Sequence, residues 1–242
     1  MSKPAPSSAA AAAAAAVFGP TGLVGSHILS TLLSPAAASA GPVHTITRRA
    51  PKATSERLRV VVEADTTRWA AALSALSPAP TAVFSALGTT RAAAGSIENQ
   101  WKIDHDLNVE LARAARAAGA TTFVFVSSGG TRSPLSGSLP YSRMKNGVED
   151  AVRDLGFDHA VILKPGFILG AREQARPAES LFKGLVRSLG AVRTSWKDAL
   201  GQEPEVIARA AVRAARLAEE GKAPSKYWVL EGHEIVKLGA AE

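Results

Sequence analysis

Short runs rich in β-branched and aromatic residues recur along this chain between long alanine-rich stretches with helical spacing. Such alternation is satisfied by a parallel sheet covered on both faces, because each crossover helix returns the chain to the same edge of the sheet. Strands are predicted at residues 14–18, 43–47, 58–62, 81–86, 121–126 and 159–164, with a late strand over Tyr227 to Leu230. The longest helix is predicted over Glu98 to Ala118, where Trp101, Leu107, Leu111 and Ala115 share a face and Gly119 supplies the stop. A second clear helix runs over 204–220, with Pro204 at its start and Gly221 after its end. The expected fold is a single doubly wound α/β domain over residues 13–242. A Ser/Pro/Ala-rich tail over 1–12 precedes it, and residues 165–204 break the pattern to build a small substrate-side region.

Composition removes several function classes. The chain has 242 residues, enough for one α/β domain, and no cysteine, so it has no disulfide framework, no thiolate metal site and no cysteine nucleophile. Its five histidines are scattered, none paired at metal spacing, and no metal is expected. The eight alanines at 9–16 with Val17 and Phe18 fall short of the roughly 20 residues a bilayer span needs. Removing them as a signal peptide would delete the first strand. The formal net charge of +7 favours anionic partners: nucleotide phosphates or an acidic lipid surface. Nucleic acid is disfavoured, since no basic run is interleaved with aromatics.

The first strand ends in Gly19-Pro20-Thr21-Gly22-Leu23-Val24-Gly25, a GxxGxxG turn that opens a helix. Glycines there permit a tight turn, close backbone approach to a pyrophosphate and close helix packing, with the helix N-terminus facing the phosphate charge. The turn therefore nominates Gly19, Thr21, Gly22, Leu23, Val24 and Gly25 as a dinucleotide cradle, although such turns also occur without a nucleotide. An NAD-binding chain would usually place an acidic residue after the second strand; this one has Thr47-Arg48-Arg49. The Arg48 and Arg49 guanidiniums suit a ribose 2′-phosphate and so NADP(H), the alternative being two solvated arginines in a turn. Asp65 either accepts from an adenine amino group or caps the helix that begins near Thr66.

The strand over 121–126 ends in Ser127-Ser128, at the edge where open α/β sheets bind ligands. Tyr141 and Lys145 follow, four residues apart and so on one helical face. A phenol with a pKa of about 10 is a poor proton carrier at neutral pH, and a nearby ammonium favours its ionised form. Ser128 can hold a substrate carbonyl while Tyr141 transfers the proton and a nicotinamide transfers hydride. A Tyr/Lys pair alone is a common surface pair; the order glycine turn, strand-end serine, YxxxK is far more specific.

With TGLVGSHIL, FSALGTTRAAAG, ENQWKIDHDLN, FVFVSSGG, YSRMKNGVEDAV and KPGFILGAREQARPAESL, the chain resembles the atypical short-chain dehydrogenases/reductases. More narrowly it is similar to the family of the fungal Found in Mitochondrial Proteome proteins and the animal Tat-interactive oxidoreductases. The resemblance covers nearly the whole chain after the tail. It implies a seven-stranded Rossmann-type sheet, NADP(H) and a carbonyl or alcohol substrate. It carries Gly19, Gly22, Gly25 and Arg48 onto the cofactor site, adds Leu87, Gly88 and Pro165 beside it, and makes Ser128, Tyr141 and Lys145 the catalytic set, the last two also touching cofactor. It implies peripheral, cytosol-facing attachment to the mitochondrial outer membrane. Departures from the family are Asp104, where extended members often carry asparagine, and a middle-helix asparagine that is not evident. Pro165-Gly166 reads equally as a strand-ending turn. Arg172, Glu173 and Arg176 either line the substrate mouth or form surface ion pairs, the residues alone favouring the surface; His105 reads as a helix-face residue, and Trp69, Trp196 and Trp228 as packing anchors. The rival from another class is a nucleotide-binding interaction protein without turnover; an epimerase with tightly held NAD is disfavoured by Arg48-Arg49.

Overall fold

Seven parallel strands form one sheet in the order β3-β2-β1-β4-β5-β6-β9. They are β1 (Ala15–Phe18), β2 (Val43–Thr47), β3 (Leu58–Val62), β4 (Ala82–Ser85), β5 (Thr122–Val126), β6 (His159–Lys164) and β9 (Tyr227–Glu231). The computed structural model describes residues 13–35, 41–169 and 201–240. The tail over 1–12 and Arg172, Glu173, Arg176 and Trp196 lie outside the described residues. A short parallel pair, β7 (Phe167–Ile168) with β8 (Gly201–Gln202), forms a separate sheet within the region expected to break the pattern.

Every residue of β2, β4 and β5 is buried, as expected of strands covered on both faces. Alternation divides them between two cores. On one face Val17, Phe84, Val124 and Val161 pack under α1 (Leu23–Leu33), α7 (Pro204–Glu219) and α8 (Gly232–Gly239). On the other, Phe18, Val83, Phe123 and Ile162 pack with residues of α2 (Trp69–Ser74), α5 (Leu107–Ala117) and α6 (Pro140–Asp154). Alanines 208, 211, 215 and 218 form the buried stripe of α7, and small side chains let it lie close to its neighbours. Trp69 anchors packing as expected, its ring stacked on Phe18 and its indole N–H donating to the Glu63 carbonyl at 3.0 Å.

One predicted helix differs. After the short α3 (Arg91–Ala94), the stretch expected as uninterrupted α-helix over Glu98 to Ala118 consists of α4 (Ile97–Trp101), a π-helical turn at Lys102–Asp106, and α5. The wider turn buries Asp104, whose carboxylate accepts from the Thr89 backbone N–H at 2.6 Å and the Gln100 amide at 3.2 Å. Asn108 supports it from within: its amide donates to the carbonyls of Ile103 and Asp104 at 3.1 and 3.2 Å, and its Oδ1 accepts from the Ser85 hydroxyl at 2.6 Å. The middle helix thus has a buried asparagine, facing the end of β4 and donating to two carbonyls of the π turn.

Candidate functional site

The strand order reverses between β1 and β4, and register aligns Phe18 with Ser85 there. Sheets of this kind bind ligands outside the carboxyl ends at such a switch point. The glycine turn sits at it. Gly19 has φ +79°, and a Cβ on it would lie 2.8 Å from the Ala86 carbonyl oxygen, so glycine is needed both for conformation and for clearance from β4. At Gly25 a Cβ would fall 2.0 Å from the Gly19 carbonyl oxygen, which seats α1 against the turn. Gly22 is the N-cap residue of α1 and supplies no side-chain cap, and the first turn carries no acidic residue. The amide donors at the start of α1 are thereby left for an external acceptor, and a pyrophosphate beside Thr21, Leu23 and Val24 fits that need.

Arg48 and Arg49 follow β2 at the same edge; both are exposed, and neither guanidinium has a partner among the described residues. The Thr47 hydroxyl donates to the Arg49 carbonyl at 2.8 Å, fixing the turn that presents them. Asp65 is the N-cap of the 3-10 turn Thr66–Arg68, accepting from the Thr67 backbone and hydroxyl at 3.0 and 2.7 Å. Those bonds hold its carboxyl below the usual range, so the cap is the role the structure displays. Beyond β4, Leu87 is half-buried and Gly88 exposed. A Cβ on Gly88 would lie 3.8 Å from Asp104 Oδ1 and 4.0 Å from Lys145 Nζ, so an acid and an ammonium converge on this point of bare backbone.

Tyr141 and Lys145 lie one turn apart in the first half of α6, whose start is set by Pro140 at its first turn. Tyr141 is 42% exposed; Lys145 is only 4% exposed. The Lys145 ammonium donates to the Val126 carbonyl at 3.1 Å and lies 4.7 Å over the Phe125 ring. An ammonium carries three N–H donors, and the Val126 carbonyl takes one of them at the edge where Gly88 lies. The two strand-end serines part company. Ser127 is buried and its hydroxyl donates to Glu149 at 2.5 Å, whereas the half-buried Ser128 has a hydroxyl with no partner among the described residues. Pro165 is buried beside them, its carbonyl accepting from the Gly129 N–H at 2.7 Å.

The reading of the sequence missed the residue at the centre of this edge. Glu149, 1% exposed, takes Ser127, the Arg132 guanidinium at 3.0 Å and the Lys164 ammonium at 3.4 Å. The Tyr227 hydroxyl donates to the Glu149 backbone carbonyl at 3.4 Å, and its pKa is pushed up to about 12 by burial first and by the Glu149 charge second. A signal existed: Tyr141, Lys145 and Glu149 repeat every four residues, so a carboxylate occupies the face of α6 that carries the pair. His105 bonds Asp106 at 2.7 Å and its ring lies tilted beside Trp101, centroids 5.0 Å apart, and against Gly147 of α6, as a packing residue does. Among the described residues no group of acids and histidines could hold a metal.

Comparison with known proteins gives one family and a consistent set of relatives. The model of the NAD dependent epimerase/dehydratase family matches residues 15–228. "Protein fmp-52, mitochondrial" of Neurospora crassa is 60% identical over 231 residues, covering 94% of this chain and 95% of its own. "Protein fmp52-2, mitochondrial" of Aspergillus terreus is 54% identical over 227 residues, covering 94% and 97%. Among solved structures, the Bordetella bronchiseptica enzyme WbmH in complex with NAD+ superposes with TM-score 0.66 at 18% identity, over 90% of this chain and 75% of that one. The UDP-Glc/GlcNAc 4-epimerase of Campylobacter jejuni gives TM-score 0.66 at 15% identity, over 93% and 82%. At such identities the solved structures speak to the fold, and the fold they share is the doubly wound Rossmann-type sheet described above.

Proposed function

The chain belongs to the NAD dependent epimerase/dehydratase family, as a relative of the fungal fmp52 proteins within the atypical short-chain dehydrogenases/reductases, and on that premise we propose that it is an NADP(H)-dependent oxidoreductase acting on a carbonyl or alcohol substrate. The observation that carries this reading is Lys145: a buried ammonium, one helical turn from Tyr141, held by the Val126 carbonyl and facing the backbone of Gly88 at the switch-point edge. WbmH, of the same fold, is solved with NAD+, in keeping with a dinucleotide at this edge. The cofactor, when bound, supplies or accepts the hydride. The protein's share is then proton handling and placement. Tyr141 moves the proton at the substrate oxygen, Ser128 donates a hydrogen bond to that oxygen, and Lys145 holds the nicotinamide ribose and supports ionisation of the phenol. Glycines 19, 22 and 25 receive the pyrophosphate, and Leu87, Gly88 and Pro165 line the approach to the nicotinamide. Asp65 lies at the adenine side, its cap leaving it at the surface.

NADPH oxidation measured against a panel of aldehydes, ketones and quinones tests the reading. Turnover of any member supports it; tight NADPH binding with no turnover across the panel would instead favour a dinucleotide-binding interaction protein. Cofactor choice follows from Arg48 and Arg49. A charge-assisted contact to a 2′-phosphate contributes about 1.5–3 kcal/mol, so NADPH should bind roughly 10- to 100-fold more tightly than NADH. Arg48→Asp should abolish or reverse that preference in a fluorescence titration, and equal affinities in the wild type would contradict it.

The proposal extends to location: peripheral attachment to the cytosolic face of the mitochondrial outer membrane. The relatives named above are called mitochondrial, and a net charge of +7 suits an acidic lipid surface. Among the described residues no helix is long and apolar enough to cross a membrane. Protease added to intact mitochondria should degrade the protein and alkaline carbonate should release it; protection from protease, or retention after carbonate, would contradict this placement.

A further inference from the structure

The Glu149 side chain joins the end of β5, the loop after it, α6 and the end of β6. It belongs to α6, the helix of Tyr141 and Lys145, and it receives Ser127 from the end of β5, Arg132 from the following loop and Lys164 from the end of β6. Arg132 also reaches Asp150 at 2.7 Å, and the Asn146 amide donates to the Thr131 carbonyl at 2.9 Å, so the loop is fastened to α6 at adjoining points. Two further bonds tie the ends of β5 and β6 to each other: Ser127 N–H to the Leu163 carbonyl at 2.8 Å and Gly129 N–H to the Pro165 carbonyl at 2.7 Å. A carboxylate and an ammonium this deeply buried seldom add net stability, because desolvating both charges offsets their attraction. What such a pair does confer is a single arrangement of the groups around it.

We propose that Glu149 is a positioning residue: by engaging Ser127, Arg132 and Lys164 at once it fixes the β5–α6 loop against α6 and the end of β6, leaving the Ser128 hydroxyl as the one that faces the substrate. This rests on the oxidoreductase reading for its effect on turnover, but the fastening of the loop is measurable without substrate. Trypsin cuts after Arg132 only when that side chain leaves its partners and the loop opens, so the cutting rate reports the population of the open loop.

The experiment compares wild type, Glu149→Gln and Ser127→Ala for tryptic cleavage after Arg132, NADPH affinity, and kcat with a carbonyl compound the wild type reduces. Glu149→Gln should speed cleavage about tenfold or more and lower kcat about tenfold or more, with NADPH affinity within about twofold, since misplacement of reacting groups costs rate rather than binding. Ser127→Ala, which keeps the Lys164 and Arg132 pairs, should change each by less than about threefold. A purely structural role predicts unchanged kcat per folded molecule. Wild-type cleavage in Glu149→Gln would overturn the proposal whatever the enzyme assay gives, and faster cleavage with unchanged kcat would overturn it equally. If no compound is reduced by the wild type, the oxidoreductase reading fails by itself, and with it the claim on Ser128, while the cleavage rates still decide the fastening. Should Glu149→Gln not fold, the charge-neutral pair Glu149→Gln with Lys164→Met takes its place under the same criteria.

Discussion

Replacing Tyr141 by phenylalanine is expected to lower turnover about 10²-fold or more while leaving NADPH affinity within about twofold, the range lost when a positioned proton donor is removed. The substitution keeps the ring, and among the described residues the Tyr141 hydroxyl has no hydrogen-bond partner to lose. Lys145→Met should behave differently. It removes the donor to the Val126 carbonyl and the ammonium facing Gly88, so cofactor affinity and turnover should fall together and the pH–rate profile should move to the alkaline side. Ser128→Ala should reduce turnover and spare cofactor affinity, whereas Ser127→Ala should change little, because the Ser127 hydroxyl is already engaged by Glu149. Stopped-flow or steady-state rates, with NADPH fluorescence for affinity, separate these cases. An unchanged rate in Tyr141→Phe would remove the proton-transfer mechanism and leave the dinucleotide-binding interaction protein as the better account.

Gly25→Ala should be severely damaging. The added carbon would stand 2.0 Å from the Gly19 carbonyl oxygen, and both partners are backbone, so no rotamer change relieves the overlap. Either α1 moves off the turn or the turn opens, and each spoils the convergence of amide donors at the helix start. Overpacking of this severity costs about 3 kcal/mol or more. For a domain of this size that corresponds to a fall of roughly 6–12 °C in Tm. NADPH binding should be lost along with it. Gly95→Ala is the control: at φ +83° with nothing within 4 Å, it carries only conformational strain, about 1 kcal/mol, and should leave NADPH affinity unchanged. Thermal melting and cofactor titration of the two variants make the comparison, and wild-type affinity in Gly25→Ala would show that the turn is not the phosphate cradle.

The strands of the main sheet and the places where the chain turns are written in local residue chemistry. Residues 43–47, 58–62 and 159–164 were legible to the residue, because short runs enriched in β-branched side chains mark strands and their limits are set by local chemistry. Helix ends were legible for the same reason: Gly119 and Gly221 both adopt positive φ just past the helices they stop. The glycine turn and the Tyr141–Lys145 spacing are also local, so the candidate site could be named from the chain alone. Tertiary structure decided what depends on meetings between distant segments. It placed the reversal of strand order between β1 and β4, opened the middle helix into a π turn around Asp104 and Asn108, and displayed Asp65 as a cap. The family resemblance already favoured Ser128 over Ser127; the fold supplies a physical reason, since the Ser127 hydroxyl is engaged by Glu149 22 residues further along the chain. A buried carboxylate on an amphipathic helix reads locally like any solvated charge; only the fold supplies the Ser127 hydroxyl, Arg132 and Lys164 that make its burial tolerable.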